Sequence, residues 1–399
     1  MRWIKSIGLV IVLLSSMCVS AGAYTSSKHT TIDLFGSPVS IPLEKADFVD
    51  FKTALSEDAV QDFYNRMEVA DFEPVVAAML KYRADKHPDD WLYYQLVRKT
   101  AQSISPKEDN YIQYTLYKWY FLLKSGYDAE IAFDGDTLLF YVQCDENIYD
   151  VPSHMRNGKE YVCLNYHDYN YNEELAKLPL HRIWMPGNGG RSFSYKLTHV
   201  PDFNPSDYRD KSVAFEYQGV VSHFTMRVNE QVKSFYANYP VADYQLYFNV
   251  PMSKETYNSL IPPLKDAVAG MSTRSGIDYL MRFTRYAIRY EDDKDNFGRE
   301  KRLSPEQTLL YDRSDCEDHS ALFFFLVKEI YHLPMLVLAY PTHVTVAVKL
   351  DKAPGRPIIY NGDKYYICEP TPQSQDLSIG RISKELQSET YEVAYAYHP

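Results

Sequence analysis

Apolar residues recur at three- and four-residue steps between Ser56 and about Ser125. This period is typical of helices that bury one face, so the pattern predicts helices over this part of the chain. Many of these residues are aromatic, and their helical spacing indicates packing in a core rather than contact with a cofactor. The clearest series are Val60, Phe63, Tyr64 and Met67, and later Tyr114, Leu116, Tyr117, Tyr120 and Phe121.

After Gly126 the pattern changes to short β-rich runs, separated by Asp-Gly and Asn-Gly pairs that favour tight hairpin turns. The runs are residues 131–133, 137–143 and 160–165. The first half is therefore predicted to consist of helices followed by a sheet. The Gly-rich stretch Met185–Arg191 lacks the Lys-Ser or Lys-Thr ending of a phosphate-binding loop, and we interpret it as a hairpin loop.

Short alternations of apolar and polar residues predict a β-rich module in the middle of the chain. Its predicted strands are Ala214–Tyr217, His223–Val228 and Tyr244–Val250. Helical spacing then returns, and a polar loop follows it. The helical stretches are Lys254–Ala269 and Gly276–Tyr290, and the loop is Glu291–Glu306.

The first 23 residues have the layout of a secretory signal peptide, with Arg2 and Lys5, an apolar run, and an Ala-Gly-Ala cleavage site. The apolar run, Ile7–Leu14, is far shorter than the roughly 20 residues that span a bilayer. A lipoprotein anchored through Cys18 is an alternative that the bulky Met17 disfavours. The protein is therefore predicted to be exported to the periplasm or the extracellular space, with no membrane span in the mature chain.

These changes of pattern divide the chain into four parts, and its 399 residues exceed the roughly 150 typical of one domain. Residues 1–23 form the predicted signal peptide, and residues 24–175 form an N-terminal α+β domain. Residues 176–252 form the β-rich middle module, and residues 253–399 form the C-terminal domain.

Composition excludes several classes of protein. The chain has 42 Lys and Arg against 53 Asp and Glu, and no dense basic block, which argues against nucleic-acid binding. A hydrophobic share of 45% supplies a buried core and excludes a disordered chain. The cysteines are too few for a disulfide scaffold, and we predict buried free thiols at Cys144 and Cys163, with a disulfide between them as the alternative.

Recognisable chemistry begins at Cys316. The segment S-D-C-E-D-H-S-A-L-F-F-F-L-V places this cysteine at the start of an apolar helix, with Ser314 or Asp315 as its cap. The first turn of a helix carries partial positive charge and unpaired N–H groups, which stabilise a thiolate and can hold an oxyanion. We interpret Glu317 and Asp318 as helix-start charges that partly oppose thiolate formation. His319 is predicted to have a surface or supporting role.

A base and an acid follow at spacings that a sheet explains. Tyr340–Val348 is predicted to be a strand with three valines on one face and His343 on the other, away from the core. After an Asn-Gly hairpin, Tyr365–Thr371 is predicted to pair with it in the antiparallel sense and to bring Glu369 beside His343. A carboxylate there would fix the imidazole tautomer and favour its charged form. Cys368 belongs to the opposite face, in the core.

Four motifs carry a family resemblance: F-G-R-E-K from Phe297, S-D-C-E-D-H from Ser314, Y-P-T-H-V from Tyr340 and C-E-P-T from Cys368. They resemble the transglutaminase-like superfamily of bacterial exported proteins, a branch of the papain-like cysteine enzymes. The resemblance is clear over about Gly276–Gly380 and looser over the rest of the mature chain.

The resemblance implies an α+β protein whose transglutaminase-like, papain-like C-terminal domain packs a helix that begins at the cysteine on an antiparallel sheet. It implies a catalytic triad of Cys316 as nucleophile, His343 as base and Glu369 as the third residue. The implied activity is hydrolysis of a peptide, isopeptide or cell-envelope amide through an acyl-enzyme, without a cofactor. Neither an H-E-x-x-H motif nor paired C-x-x-C motifs occur, so no metal site is predicted.

The last family motif usually reads D-P-T, whereas this chain has E-P-T. Because Glu369 is one methylene longer, it reaches the imidazole only if the strands adjust. Two alternatives to hydrolysis therefore stay open. One is transamidation, which uses the same residues with an amine acceptor, and the other is a non-catalytic binding or envelope-assembly protein that keeps the fold.

The first half contains an apparent second copy of the catalytic region, about 205 residues upstream. Tyr114–Phe133 echoes the stretch after Cys316, and G-K-E-Y-V-C-L-N from Gly158 parallels G-D-K-Y-Y-I-C-E-P from Gly362. The N-terminal domain is therefore interpreted as a degenerate copy, with chance similarity as the alternative. This copy lacks the cysteine and the histidine, and Leu164 is predicted to replace the acid.

Overall fold

The computed structural model describes residues 30–43, 46–177, 180–183 and 189–399. The predicted signal peptide and most of the Gly-rich stretch Met185–Arg191 lie outside the described residues. The protein is a mixed α+β fold. None of the described helices is long and apolar enough to cross a bilayer.

A β-hairpin and four helices open the described chain. In order they are β1 (Thr30–Leu34), β2 (Ser37–Ile41), α1 (Glu57–Val69), α2 (Glu73–Lys86), α3 (Asp90–Ile104) and α4 (Tyr111–Lys124). The predicted helix start at Ser56 is confirmed, since its side chain accepts a hydrogen bond from the Ala59 N–H. The helical aromatics are core residues as predicted, with Tyr117 and Trp119 fully buried.

The predicted sheet follows directly. Its elements are β3 (Ala129–Asp134), β4 (Thr137–Cys144), β5 (Ile148–Tyr149), β6 (Ser153–Arg156), β7 (Lys159–Cys163) and β8 (His181–Ile183). Within the described residues, five of these strands form an antiparallel sheet in the order β6-β7-β4-β3-β8. Cys144 and Cys163 are buried free thiols, as predicted.

The middle of the chain contains β9 (Tyr208–Tyr217), β10 (Val220–Asn229), α5 (Gln231–Tyr236), β11 (Val241–Ala242) and α6 (Tyr244–Tyr247). The first two predicted strands are confirmed and form a long hairpin. The third, Tyr244–Val250, is wrong because the chain turns helically there. Tyr244, Tyr247 and Phe248 stand at helical spacing, which buries Tyr247 and Phe248 on one side.

The C-terminal part begins with helices. Its elements before the last sheet are α7 (Lys254–Val268), α8 (Thr273–Ala287), β12 (Arg289–Tyr290), α9 (Asp293–Phe297), α10 (Pro305–Leu310), β13 (Arg313–Ser314) and α11 (Cys316–Tyr331). The β9–β10 hairpin packs on α7 and α8, and β11 pairs with β5, so the middle of the chain contacts both of its neighbours.

The last elements are β14 (Met335–Tyr340), β15 (His343–Lys349), β16 (Ile358–Tyr360), β17 (Asp363–Cys368), α12 (Lys384–Gln387) and β18 (Glu392–Tyr397). Five strands form a second antiparallel sheet in the order β16-β17-β15-β14-β18 within the described residues. The predicted strand Tyr340–Val348 starts only at His343, because Pro341 and Thr342 form the turn between β14 and β15.

Both faces of this sheet are buried. Helix α11 and the valines of β15 belong to the main core, and a smaller apolar cluster that includes Ala347 and Tyr365 covers the other face. The prediction that the face opposite the valines lies off the core is therefore wrong for Thr345 and Ala347, which are fully buried. His343 reaches a cleft because it is the first residue of its strand.

The two large sheets share one topology. Read from corresponding edges, their orders are β8-β3-β4-β7-β6 and β18-β14-β15-β17-β16. Each sheet follows a largely buried helix, α4 in the first case and α11 in the second. The arrangement of strands thus parallels the weak sequence repeat.

Candidate active site

Cys316 is the first residue of α11 and is half-buried. Asp315 is the cap, because its side chain accepts hydrogen bonds from the N–H groups of Glu317 and Asp318 at 3.0 and 3.2 Å. This decides between the two predicted caps in favour of Asp315. It also gives Cys316 the place at the positive end of the helix dipole that the sequence predicts.

His343 and Glu369 are joined by a hydrogen bond. The imidazole Nε2 lies 2.8 Å from the carboxylate Oε2, across the antiparallel pair β15 and β17. The other carboxylate oxygen accepts the Thr371 N–H at 2.9 Å, and Glu369 is only 1% exposed. The longer side chain therefore reaches the imidazole, and both of its oxygens have partners.

Buried Arg285 holds the backbone on which Glu369 sits. Its guanidinium donates to the carbonyl oxygen of Glu369, to the Leu377 carbonyl at 3.0 Å and to Asp376 at 2.6 Å. Arg282 also pairs with Asp376 but is more exposed. Helix α8 thereby fixes the position of the residue that follows β17.

Cys316 lies beside the start of β15. The backbone N–H of Val344, the residue after His343, donates a hydrogen bond to the thiol and favours the thiolate. Burial outweighs this effect, and with the negative charges of Asp315 and Glu317 it raises the pKa of the Cys316 thiol well above its usual range. The opposition expected from the neighbouring acids is therefore present, but burial is the larger cause of the raised pKa.

Cys316 and His343 line one open cleft of about 940 Å³. Its walls come from distant parts of the sequence: residues around Asp150, Asp243 and Tyr244 on one side, and the loop from Tyr290 to Arg302 on another. Among the described lining residues nine are acidic and two, Lys294 and Arg302, are basic. Acidic side chains therefore outnumber basic ones around the cleft. The acidic lining residues are Asp150, Asp243, Asp292, Asp293, Asp295, Glu300, Asp315, Glu317 and Glu392.

The acids after Cys316 have specific partners. Glu317 accepts hydrogen bonds from the Tyr244 hydroxyl at 2.7 Å and from Arg302 at 3.2 Å. Asp318 is fully buried and accepts from the Leu303 N–H at 2.8 Å and the Tyr247 hydroxyl at 2.7 Å. Besides interacting with the helix dipole, these two side chains therefore hold α6 and the loop that carries Arg302 and Leu303 against the start of α11.

His319 is a supporting residue and not a surface residue. It is fully buried, and its Nδ1 lies 2.6 Å from the Asp315 carbonyl oxygen and 3.1 Å from the Ser314 hydroxyl. It thereby holds the turn that leads into Cys316. Cys368 is fully buried in the main core, as predicted.

We use "first copy" for α4 and the β6-β7-β4-β3-β8 sheet, because their topology matches that of α11 and the second sheet; the residues at corresponding places differ. The hairpin pair Asp134–Thr137 corresponds to Tyr340–His343, so Thr137 stands where the second copy has its base. Tyr111 begins α4 as Cys316 begins α11, and each follows a capping side chain. The three-residue constellation is thus absent from the first copy.

Strand register corrects the prediction for Leu164. Tyr141 pairs with Cys163 as Ala347 pairs with Ile367, and in each sheet these pairs face the smaller cluster. The residue two positions after Cys163, Asn165, therefore corresponds to Glu369. Asn165 is fully buried and donates a hydrogen bond to the Tyr111 hydroxyl at 2.7 Å. The two residues that correspond to Glu369 and Cys316 are therefore hydrogen-bonded to each other.

Sequence reasoning missed one group of carboxylates beside the candidate site. Oxygens of Asp293, Glu300 and Asp315 all lie within 4.8 Å of one another. Burial raises the pKa of Asp293 to about 7 and that of Asp315 to about 8, and neighbouring carboxylates add to both shifts. The run D-K-D-N-F-G-R-E, from Asp293 to Glu300, is the sequence feature that could have drawn attention to it.

Fold and site together define a mixed α+β protein in which a half-buried cysteine at a helix start and a histidine line an acidic cleft, and a buried glutamate is hydrogen-bonded to that histidine. Comparison of the chain with protein-family models, with curated proteins and with solved structures found no match.

Proposed function

We propose that the protein is an exported cysteine enzyme of the transglutaminase-like class, which attacks an amide carbonyl through Cys316. The observation that carries the proposal is the His343–Glu369 hydrogen bond, since His343 lines the same cleft as Cys316. A nucleophile, a base and a group that orients the base are the parts that acyl transfer requires. The sequence resemblance assigns the same three residues.

The first half of the reaction forms a thioester. The Cys316 thiol gives its proton to His343 as sulfur bonds to the amide carbon, and the Cys316 N–H is the donor that we assign to the developing oxyanion. Imidazolium then protonates the amine nitrogen as the C–N bond breaks. The amine leaves, and the acyl group stays on sulfur.

The second half restores the enzyme. Water attacks the thioester and gives a proton to His343, which returns it to the departing sulfur. Glu369 accepts a hydrogen bond from the imidazole throughout and stabilises its charged form. Because burial and Asp315 raise the thiol pKa, the thiol is protonated at rest, and proton transfer to His343 accompanies the attack.

The charge of the cleft bears on the substrate. An excess of carboxylates attracts positively charged groups, so we propose peptide, isopeptide or cell-envelope amides that carry free amino groups. Hydrolysis rather than transamidation is the proposed outcome by family resemblance, since both reactions use the same residues and differ in the acceptor.

Iodoacetamide labelling tests the nucleophile without knowledge of the substrate. We expect alkylation of Cys316, read by mass spectrometry, to slow about tenfold or more in His343→Ala, because a protonated thiol needs its base. Cys144→Ser is the matched control, because it removes a buried thiol remote from the cleft and should leave the rate unchanged. A rate that does not depend on His343 would refute the proposed mechanism.

A second candidate is a binding or envelope-assembly protein that uses the same cleft without turnover. The observation that favours it is the first copy, which keeps the sheet topology while Tyr111 and Asn165 occupy the places of nucleophile and acid. An acyl adduct on Cys316 after incubation with an envelope extract would exclude this candidate, and its absence in repeated trials would favour it.

A further inference from the structure

Another cavity lies beside Tyr340, the last residue of β14. Its volume is about 670 Å³, which is within the range of ligand-binding pockets. We call it the arginine pocket, because Arg356 and Arg381 line it and Glu389 is the one acid among its described lining residues. Its apolar lining consists of Tyr340, Pro357, Ile358, Ile359, Ile367, Ile382, Leu386 and Tyr391.

Close packing of two glycines brings the two arginines to the same wall. A Cβ atom on Gly355 would clash with the carbonyl oxygen of Gly380, and one on Gly380 would clash with that of Pro354. Both glycines also have positive φ angles, which other residues rarely adopt. Arg356 and Arg381 directly follow these glycines, and neither guanidinium has an ion-pair partner among the described residues. An anion bound between them would relieve the repulsion of two neighbouring like charges.

The arginine pocket adjoins the cleft that Cys316 lines. Tyr340 lines both cavities, and its ring lies 5.3 Å from that of Tyr391, measured between centroids. Tyr391 lines the arginine pocket, whereas the next residue, Glu392, lines the cleft. Tyr340 is also the cross-strand partner of His343, so the Cα atoms of these two residues are about 5 Å apart. A chain bound beside His343 can therefore continue past the two rings into the pocket.

Acidic residues predominate in the cleft, and basic residues predominate in the arginine pocket. A substrate that occupies both cavities is therefore expected to place a cationic group near Cys316 and an anionic group beside the arginines. The isoleucines around that anion fit an apolar side chain. The C-terminal residue of a peptide offers both features, since its side chain is attached one carbon from a carboxylate that two guanidinium groups can bind.

We propose that the arginine pocket binds the C-terminal residue of a peptide substrate, with its carboxylate on Arg356 and Arg381 and an apolar side chain among the isoleucines. This inference rests on the proposed function, because it adds the part of the substrate that lies beyond the amide attacked by Cys316. In a linear peptide the residues after that amide leave with the amine, so the pocket holds the released portion. The protein therefore cleaves peptides close to a free C-terminus.

Fluorescence anisotropy with a labelled hexapeptide tests the proposal. The probe carries an N-terminal dansyl group, one lysine and a C-terminal leucine, and the protein is the Cys316→Ser variant, so that binding is measured without turnover. We expect amidation of the terminal carboxylate to weaken binding by about tenfold or more. Arg356→Gln and Arg381→Gln should each weaken binding of the acid by about fivefold or more, and together they should abolish the difference between acid and amide.

Lys384→Gln is the matched control, because it removes the same charge from an exposed side chain of α12 that is not part of the pocket lining. It should leave peptide binding unchanged. Equal losses in Lys384→Gln and Arg381→Gln, which indicate diffuse attraction, or equal affinity for acid and amide would overturn the proposal. Dodecanoate is the second probe, since fatty acids also carry an apolar chain and a carboxylate. Binding of dodecanoate that depends on Arg381, with no preference for the acid peptide, would assign the pocket to fatty acids instead.

Protection of Cys316 separates this inference from the proposed function. In the unmodified protein, the acid peptide at a concentration well above its Kd should slow alkylation of Cys316 by about fivefold or more, and the amide should protect less. Peptide that binds through the arginines without slowing alkylation would show that the pocket is not part of the substrate site. Alkylation that does not depend on His343, together with the expected peptide binding, would refute the proposed function alone.

Discussion

The imidazole of His343 and the carboxylate of Glu369 are held 2.8 Å apart by a hydrogen bond. The carboxylate cannot turn freely, because its second oxygen accepts the Thr371 N–H and Arg285 holds the carbonyl oxygen of the same residue. A base oriented in this way loses little entropy when it accepts a proton. The pair is the part of the site that most directly supports acyl transfer.

Glu369→Gln should slow the alkylation of Cys316 by about tenfold or more, because a neutral amide stabilises imidazolium less than a carboxylate does. The substitution keeps the shape of the side chain, so the melting temperature should change little. Iodoacetamide labelling at neutral pH measures the rate, and Glu392→Gln serves as the control of equal charge change. An unchanged rate in Glu369→Gln would remove Glu369 from the mechanism.

Arg285→Met should lower both stability and the reactivity of Cys316. The buried guanidinium supports the Glu369 carbonyl, and its loss leaves buried acceptors unpaired at a cost of about 2–4 kcal/mol. Arg282→Met is the matched control, since Arg282 shares Asp376 with Arg285 but has Asp278 as its other partner. Arg282→Met should lower the unfolding free energy by less than Arg285→Met does and should leave the alkylation rate of Cys316 unchanged. Equal effects of the two substitutions would indicate a general role of α8 and none specific to Glu369.

Lys118 should make stability depend on pH. Burial lowers the pKa of its ammonium group to about 7, despite Asp168 at 3.9 Å. Between about pH 7 and its unfolded value near 10.5, the unfolded chain binds more protons than the folded one, so stability rises with pH. Stability changes by up to about 1.4 kcal/mol per pH unit in that window, so it falls as pH decreases from about 10.5 to about 7 and does not change further through Lys118 at lower pH.

Lys118→Met should therefore flatten the pH dependence of the unfolding free energy, measured in urea between about pH 6 and pH 10. Asp168 keeps an ion pair with Lys107 at 2.6 Å, so the substitution does not leave a buried carboxylate unpaired. Lys124→Met, on the same helix but exposed, should leave the slope unchanged. If the unfolding free energy of Lys118→Met still rises with pH at the same slope, other groups cause the pH dependence.

Asn165→Ala should destabilise the protein by about 2–4 kcal/mol without slowing the alkylation of Cys316. The fully buried amide accepts the Phe140 N–H at 2.7 Å and donates to the Leu138 carbonyl at 2.8 Å and to the Tyr111 hydroxyl. Urea unfolding measures the loss, and exposed Asn172→Ala is the control. A slower reaction at Cys316 in the folded variant would mean that the first copy supports the site directly.

Local patterns were sufficient to predict most elements and the elements beside which the three candidate residues lie. The cap and the apolar run placed Cys316 at a helix start, and alternating residues placed His343 on a strand, as the structure has them. The strand predicted over Tyr365–Thr371 ends at Cys368, so Glu369 follows the strand and still reaches His343. The strand predicted at Tyr244–Val250 was wrong. A short aromatic run fits the two-residue period of a strand and the 3.6-residue period of a helix equally well, and here a helix buries the aromatic side chains on one side. Leu164 was misassigned because only cross-strand pairing sets the register.

The sequence by itself determined most helices and hairpins and the local elements that carry Cys316 and His343, since these follow from the period of apolar side chains, caps and turns within a few residues. Only the tertiary structure decided that Asn165 occupies the place of the acid in the first copy, and that residues around Asp150 and Asp243 complete the cleft. It also brought Asp293 and Glu300 to Asp315. These relationships join residues that are distant along the chain, and long-range packing of the core, which no local pattern encodes, brings them together.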